Sequence, residues 1–227
     1  MSIAPLQWQK MSPAERIDAL QQNVDTLTAR DQPTRHVSVH PFQPGTATRG
    51  TYDDGTIKIN DSLINQDTPY AAMETLNHEY RHSFQDYVAN ARPDLAESAQ
   101  QLEDFKKNPT GYIHPNTDYV MYRSQPVEVD ARNYARQAME SSYGMQHDPA
   151  YDTHRQARDQ EDAMNQSLAE LSYGKDHEQQ ARELVYEIHD LKQSQSQAQS
   201  PTLETNQNPP ASPDEAQTQQ QANGRRR

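Results

Sequence analysis

Apolar residues recur at helical spacing over most of this chain and alternate over only one short region. Ile17, Leu20, Val24 and Leu27 fall three or four residues apart, the period of one buried helix face. Ser12 precedes them, Pro13 suits a first helical position, and Glu15 stands three residues after Ser12, so a capping box opens the helix. That helix offers packing positions and no chemistry. Between residues 35 and 64 the period shortens. His36-Val37-Ser38-Val39-His40 alternates like a strand. Gly50-Thr51-Tyr52 and Thr56-Ile57-Lys58-Ile59-Asn60 flank Asp53-Asp54-Gly55, whose Asp-Gly pair marks a hairpin turn. A small antiparallel sheet is expected. His36 and His40 bracket a strand without metal-ligand spacing and read as surface residues.

Helical spacing then returns. Asp67 or Thr68 caps a long helix, Pro69 starts it, and Arg92-Pro93 ends it, because the residue before a proline disfavours the α region. Another helix is expected over residues 94–107. Asn108-Pro109-Thr110-Gly111 breaks the pattern and opens a Tyr-rich loop through Tyr122, and a further helix spans residues 126–142. Residues 152–192 are polar and helix-prone, with a break at Tyr173-Gly174; Leu168, Leu171, Leu184, Val185 and Ile188 suit helices packed on a domain. Beyond about Ser194 the chain turns to Gln, Ser, Pro, Asn and Thr and ends in Arg225-Arg226-Arg227, a composition that cannot bury enough apolar surface to offset its ordering entropy. The expected organisation is α+β and mostly helical. A domain with a small antiparallel sheet covers residues 1–145, polar helices packed on it cover 146–192, and a disordered tail covers 193–227.

Composition narrows the function classes. Hydrophobic residues make up 32% of the 227 and the mean hydropathy is -1.16, so the core is small for the length. A formal charge of -12 and a pI near 5.1 argue against general affinity for nucleic acid or anionic membranes, which attract basic surfaces. No apolar run approaches the roughly 20 residues of a membrane span. Met1-Ser2-Ile3-Ala4-Pro5 has neither a basic nor an apolar leader region, so no Sec-type signal peptide is expected. The chain is expected to be soluble, and cytoplasmic or exported by a route without such a signal. Cysteine is absent, which leaves His, Asp and Glu as the strong metal ligands.

One motif then stands out: His78-Glu79-Tyr80-Arg81-His82, inside the long helix. Each helical residue turns the chain by about 100°, so His78 and His82 lie about 40° apart and two imidazoles can reach one ion. Glu79 is close enough to accept a proton from water at that ion without being a ligand. Met73, Leu76, Tyr80, Phe84, Tyr87 and Val88 fall opposite His78, whereas Ala71, Thr75, Gln85 and Ala89 share its side and leave room for metal and substrate. A catalytic zinc takes three protein ligands and an open position. A third His six residues after His82 would have to be residue 88, which is Val88. Downstream, Gln125-Pro126-Val127-Glu128-Val129-Asp130 places two carboxylates at a helix start. Glu128 is the expected third ligand, and Asp130 either supports a ligand histidine or is the ligand itself. The loop before them offers Tyr112, His114, Tyr119 and Tyr122 as donors to a developing oxyanion.

Together with Gly50-Thr51-Tyr52 and Ile57-Lys58-Ile59-Asn60, the runs Thr75 to Gln85 and Glu128-Val129-Asp130-Ala131 resemble the gluzincin group of zinc metallopeptidases. Within it they are similar to the compact domains of bacterial toxins and secreted effectors. The resemblance covers about residues 12–142. It implies a zincin-like fold, one zinc on His78, His82 and Glu128, Glu79 as general base, and a protein or peptide substrate. The gap from His82 to Glu128 is longer than in the most compact members. The rival reading is a non-catalytic binding protein on a zincin scaffold, against which the intact Glu79 argues. A third is a metal-dependent hydrolase acting on something other than peptides.

Overall fold

A computed structural model of the chain describes residues 3–32, 35–43, 48–144 and 148–198. The fold is α+β and mostly helical, with one three-stranded sheet among the described residues. After a short α1 (Pro5–Trp8), α2 (Pro13–Asp31) opens with the expected capping box. The Glu15 amide donates to Ser12 Oγ at 3.3 Å, and the Glu15 carboxylate accepts from the Ser12 amide at 2.7 Å. Trp8 is fully buried under the Arg16 guanidinium, which also donates to the Ile64 carbonyl at 2.7 Å.

The sheet comprises β1 (Ser38–Phe42), β2 (Gly50–Asp53) and β3 (Thr56–Asn60), in the order β1-β3-β2. β2 and β3 form the expected hairpin, and Asp54 and Gly55 make its turn with φ of 36° and 79°, the positive values a two-residue hairpin loop requires. β1 runs parallel to β3, so the sheet is mixed and not antiparallel. The turn signal fixes the direction of β2 against β3 only; alternation in β1 says nothing about which neighbour it joins. Val39, Ile57 and Ile59 point into the core. Next, α3 (Asp61–Ile64) leads into α4 (Tyr70–Asn90), the central helix. Pro69 takes the cap position of α4, one residue earlier than a first helical turn.

Met73, Leu76 and Tyr80 of α4 pack with Leu20, Val24, Ile57 and Ile59 in the main core, while Val88 joins Phe105 and Val127 in a second cluster. The helix expected over 94–107 sits later. Pro93–Leu95 form a 3-10 turn, and Ser98 caps α5 (Ala99–Gly111). Contrary to the expected break, α5 continues through Pro109. Its end lies flush on α9 (His177–Ala198): a Cβ at Gly111 would stand 2.0 Å from the Val185 carbonyl oxygen, and Lys192 Nζ donates to the Thr110 carbonyl at 2.8 Å. Tertiary packing outweighs one missing helical bond. The Tyr-rich loop is also shorter than expected, because Asp118 caps α6 (Tyr119–Ser124).

α7 (Pro126–Tyr143) follows almost as expected, then α8 (Pro149–Tyr173) and α9, separated at Gly174. Tyr70, Tyr143 and Tyr151 stack edge-on or tilted with centroids 4.9–5.7 Å apart, tying α4, α7 and α8 together at about 0.5–1.5 kcal/mol per aromatic pair beyond area burial. The Tyr70 hydroxyl donates to Asp148. Ala181 and Val185 of α9 bury against Ile113 and Met121, with Leu184 and Ile188 beside them. Leu168 and Leu171 do not pack as expected and stand 46% and 84% exposed. α9 runs four residues past Ser194, and the tail expected to be disordered otherwise lies outside the described residues. No helix among the described residues is long and apolar enough to cross a membrane.

Candidate metal centre

α4 packs along α7, and that contact assembles the site. The middle of α4 carries His78, Glu79 and His82, and the first turn of α7 brings Glu128 to them. His78 Nε2 lies 3.1 Å from His82 Nε2. Glu128 Oε2 lies 3.3 Å from His78 Nε2, and Oε1 lies 3.6 Å from His82 Nε2. Donors about 2.0–2.2 Å from a tetrahedral ion lie about 3.3–3.6 Å from one another, so the triangle has the size of three ligands around one zinc. His78, His82 and Glu128 are the one such group of three among the described residues. Glu128 is 2% exposed. Burial alone would raise its carboxyl, but the charges of His82 and His78, the His78 hydrogen bond and Arg132 hold it down at about 2. Burial lowers His78, while Glu128 and Glu79 outweigh that and raise it.

The supporting shell differs from expectation. Asp130 is neither a ligand nor a direct partner of a ligand histidine. It accepts two hydrogen bonds from Arg81, at 2.7 and 2.9 Å, and one from Gln85 Nε2 at 2.7 Å. Gln85 Nε2 donates also to the Val127 carbonyl at 2.9 Å, which leaves Gln85 Oε1 to face His82 Nδ1 at 2.9 Å. In its neutral form the histidine therefore carries its hydrogen on Nδ1 and turns the Nε2 lone pair to the triangle. Asp130 acts one residue further out, through Gln85. Of the side of α4 expected to be open, Thr75 lines the cleft beside His78, whereas Ala71 and Gln85 are buried away from it.

Glu79 is 7% exposed and shares the cavity wall with His78 and Glu128 without joining the triangle. Burial raises its carboxyl, against the pull of His78 and His82 and a hydrogen bond from the Tyr52 amide. β2 crosses so close that a Cβ at Gly50 would lie 2.6 Å from Thr75 Cγ2 and 3.0 Å from Glu79 Oε1. Only glycine fits there.

A cleft of about 630 Å³ opens beside these residues. His114, Tyr119 and Tyr122 all line it, Tyr119 at the rim with 48% exposure. Tyr112 donates to Glu128 Oε1 at 3.2 Å instead. Burial and the Glu128 charge push the Tyr112 and Tyr122 phenols upward, so both remain hydroxyl donors. His36 and His40 are exposed, as expected of surface residues. Sequence reasoning assigned no role to Gln85 or to Arg132. Their spacing was the available signal: Gln85 stands three residues after His82, and Arg132 four after Glu128, each within one helical turn of a ligand. Comparisons with protein-family models, curated proteins and solved structures return no match to this chain.

Proposed function

We propose that the chain is a zinc-dependent endopeptidase of the gluzincin type, with one zinc per chain held by His78, His82 and Glu128. The observation that carries this reading is a division of labour between carboxylates. Glu128 belongs to a donor triangle of zinc dimensions, whereas Glu79, on the same cleft wall, is left out of it. Zinc bound there would polarise a peptide carbonyl and lower the pKa of water towards about 7. Glu79 accepts a proton from the attacking water and delivers it to the leaving amine. Its burial raises its proton affinity above that of an exposed carboxylate, which suits a base that must later act as an acid. Tyr122 and His114, which line the same cleft, supply candidate hydrogen-bond donors to the oxyanion. β2 is a sheet edge and Gly50 lines the cleft, so an extended peptide can pair with its main chain. A role as a secreted effector or toxin rests on the resemblance and not on the site.

The test is metal analysis of the purified protein together with cleavage of casein and a peptide library, with and without chelator. One zinc per chain and chelator-sensitive cleavage are expected. Full zinc with no cleavage across a broad library would favour the binding-scaffold reading.

A further inference from the structure

Outward along α7 from Glu128, the same helix face carries Arg132 and then Arg136, four and eight residues on, and all three line the cleft. Five arginines line this cavity in a chain of net charge -12. Most are matched. Arg158 and Arg49 reach Glu74 at 3.4 and 4.0 Å, and Arg123 and Arg136 converge on Asp162 at 2.8 and 2.5 Å. Arg132 has no carboxylate within 4.0 Å among the described residues. Its one hydrogen bond there runs from Nη2 to the Arg123 carbonyl at 2.5 Å. Arg136 Nε is buried with no acceptor. Arg132 feels the charges of Glu128 and Asp162 without touching either, so its fork lacks a direct carboxylate partner, and the cleft is where one can arrive.

Four residues along a helix span about 6 Å, roughly two residues of extended peptide. We propose that Arg132, assisted by Arg136, binds an acidic side chain of the substrate one or two residues from the scissile bond, a chain terminus being the alternative source that the test separates. A guanidinium fork matches that group with paired, charge-assisted hydrogen bonds. With zinc compensating the two carboxylates at the metal, the arginines tilt the cleft positive against an acidic exterior, which focuses anionic segments into it. The inference rests on the endopeptidase reading for its register, and the test separates the two.

One peptide mixture is made in four versions, with glutamate or glutamine at the varied positions and a free carboxylate or an amide at the end. Cleavage is compared for the parent, Arg132→Gln and Arg132→Lys. Binding is followed by fluorescence anisotropy on zinc-free and zinc-loaded Glu79→Gln protein, with and without Arg132→Gln. The parent should prefer the glutamate over the glutamine versions by about tenfold or more, whichever end they carry, the worth of a charged hydrogen bond. The ratio should fall near one in Arg132→Gln and recover in part in Arg132→Lys. Equal handling of the glutamate and glutamine versions by the parent, a preference for the free end alone, or a preference that survives Arg132→Gln overturns the proposal. If the parent cleaves nothing, the endopeptidase reading fails, and the binding ratio on zinc-free protein still decides the carboxylate site. If Arg132→Gln does not fold, Arg132→Lys and salt titration of the parent decide; a ratio unmoved by both overturns it.

Discussion

Gln85 turns its side-chain oxygen to His82 Nδ1 at 2.9 Å while its amide nitrogen is held by α7 through the Val127 carbonyl and Asp130. A residue of α4 thus fixes the tautomer of a candidate ligand using the helix that carries the third candidate. Gln85→Met removes that acceptor at similar volume and should weaken zinc binding by about 10–100-fold, the usual effect of losing such a partner. Competition with a calibrated chelator measures it; unchanged affinity would mean His82 orients itself.

Metal binding and chemistry should separate at Glu79. Glu79→Gln keeps size and a carbonyl but cannot take a proton, so it should fold, keep one zinc, and lose about 100-fold or more in hydrolysis. Glu128→Gln should lose zinc affinity together with activity. Near-parental cleavage by Glu79→Gln would show that the base is another group.

Gly50→Ala should be destabilised by about 1–3 kcal/mol, the range for overpacking a filled site, because its methyl group would meet Thr75 Cγ2 and Glu79. Thr75→Ser deletes that methyl and keeps a hydroxyl for the Ala71 carbonyl, which Thr75 Oγ1 reaches at 2.8 Å. The double variant should therefore recover part of the loss in thermal melts. No recovery would place the clash elsewhere.

Acid should unlock the cleft's buried ion cluster. Burial raises the Glu74 carboxyl, but the hydrogen bond and charge of His154, with Arg49 and Arg158, outweigh it and hold Glu74 below its ordinary value. A depressed folded-state pKa stabilises the fold above the unfolded value of about 4.3, and that stability is lost as pH falls through the folded value. Glu74→Gln should be less stable than the parent near pH 7 by about 1–3 kcal/mol, and the gap should close below about pH 4. A gap independent of pH would assign the effect to packing.

The parts of this molecule that depend on a few neighbouring residues are legible in its sequence. The Ser12–Glu15 box, the Asp54-Gly55 turn and the His78/His82 spacing each appear in the structure where the chain places them. Glu128 was singled out as a carboxylate at a helix start, and the packing of α4 on α7 brings it to the histidines. What local pattern could not carry is decided by partners distant in the chain. β1 joins β3 in parallel on the side away from β2, α5 passes Pro109 because α9 lies over its end, and Asp130 is diverted to Arg81 and Gln85. The polar periodicity of α8 hid its exposed Leu168 and Leu171 for the same reason, since spacing tells which residues share a face and not what covers it.

The clamp of Val185 and Ala181 on Ile113 and Met121 gives the cleft a birth order. The loop and short helix bearing His114, Tyr119 and Tyr122 are braced by α9, the last element described, whereas the candidate metal donors end at Glu128. Synthesis proceeds at about 5–20 residues per second, N-terminal parts first. On the proposed reading, the donor triangle would be in place before the wall that faces a substrate is fastened.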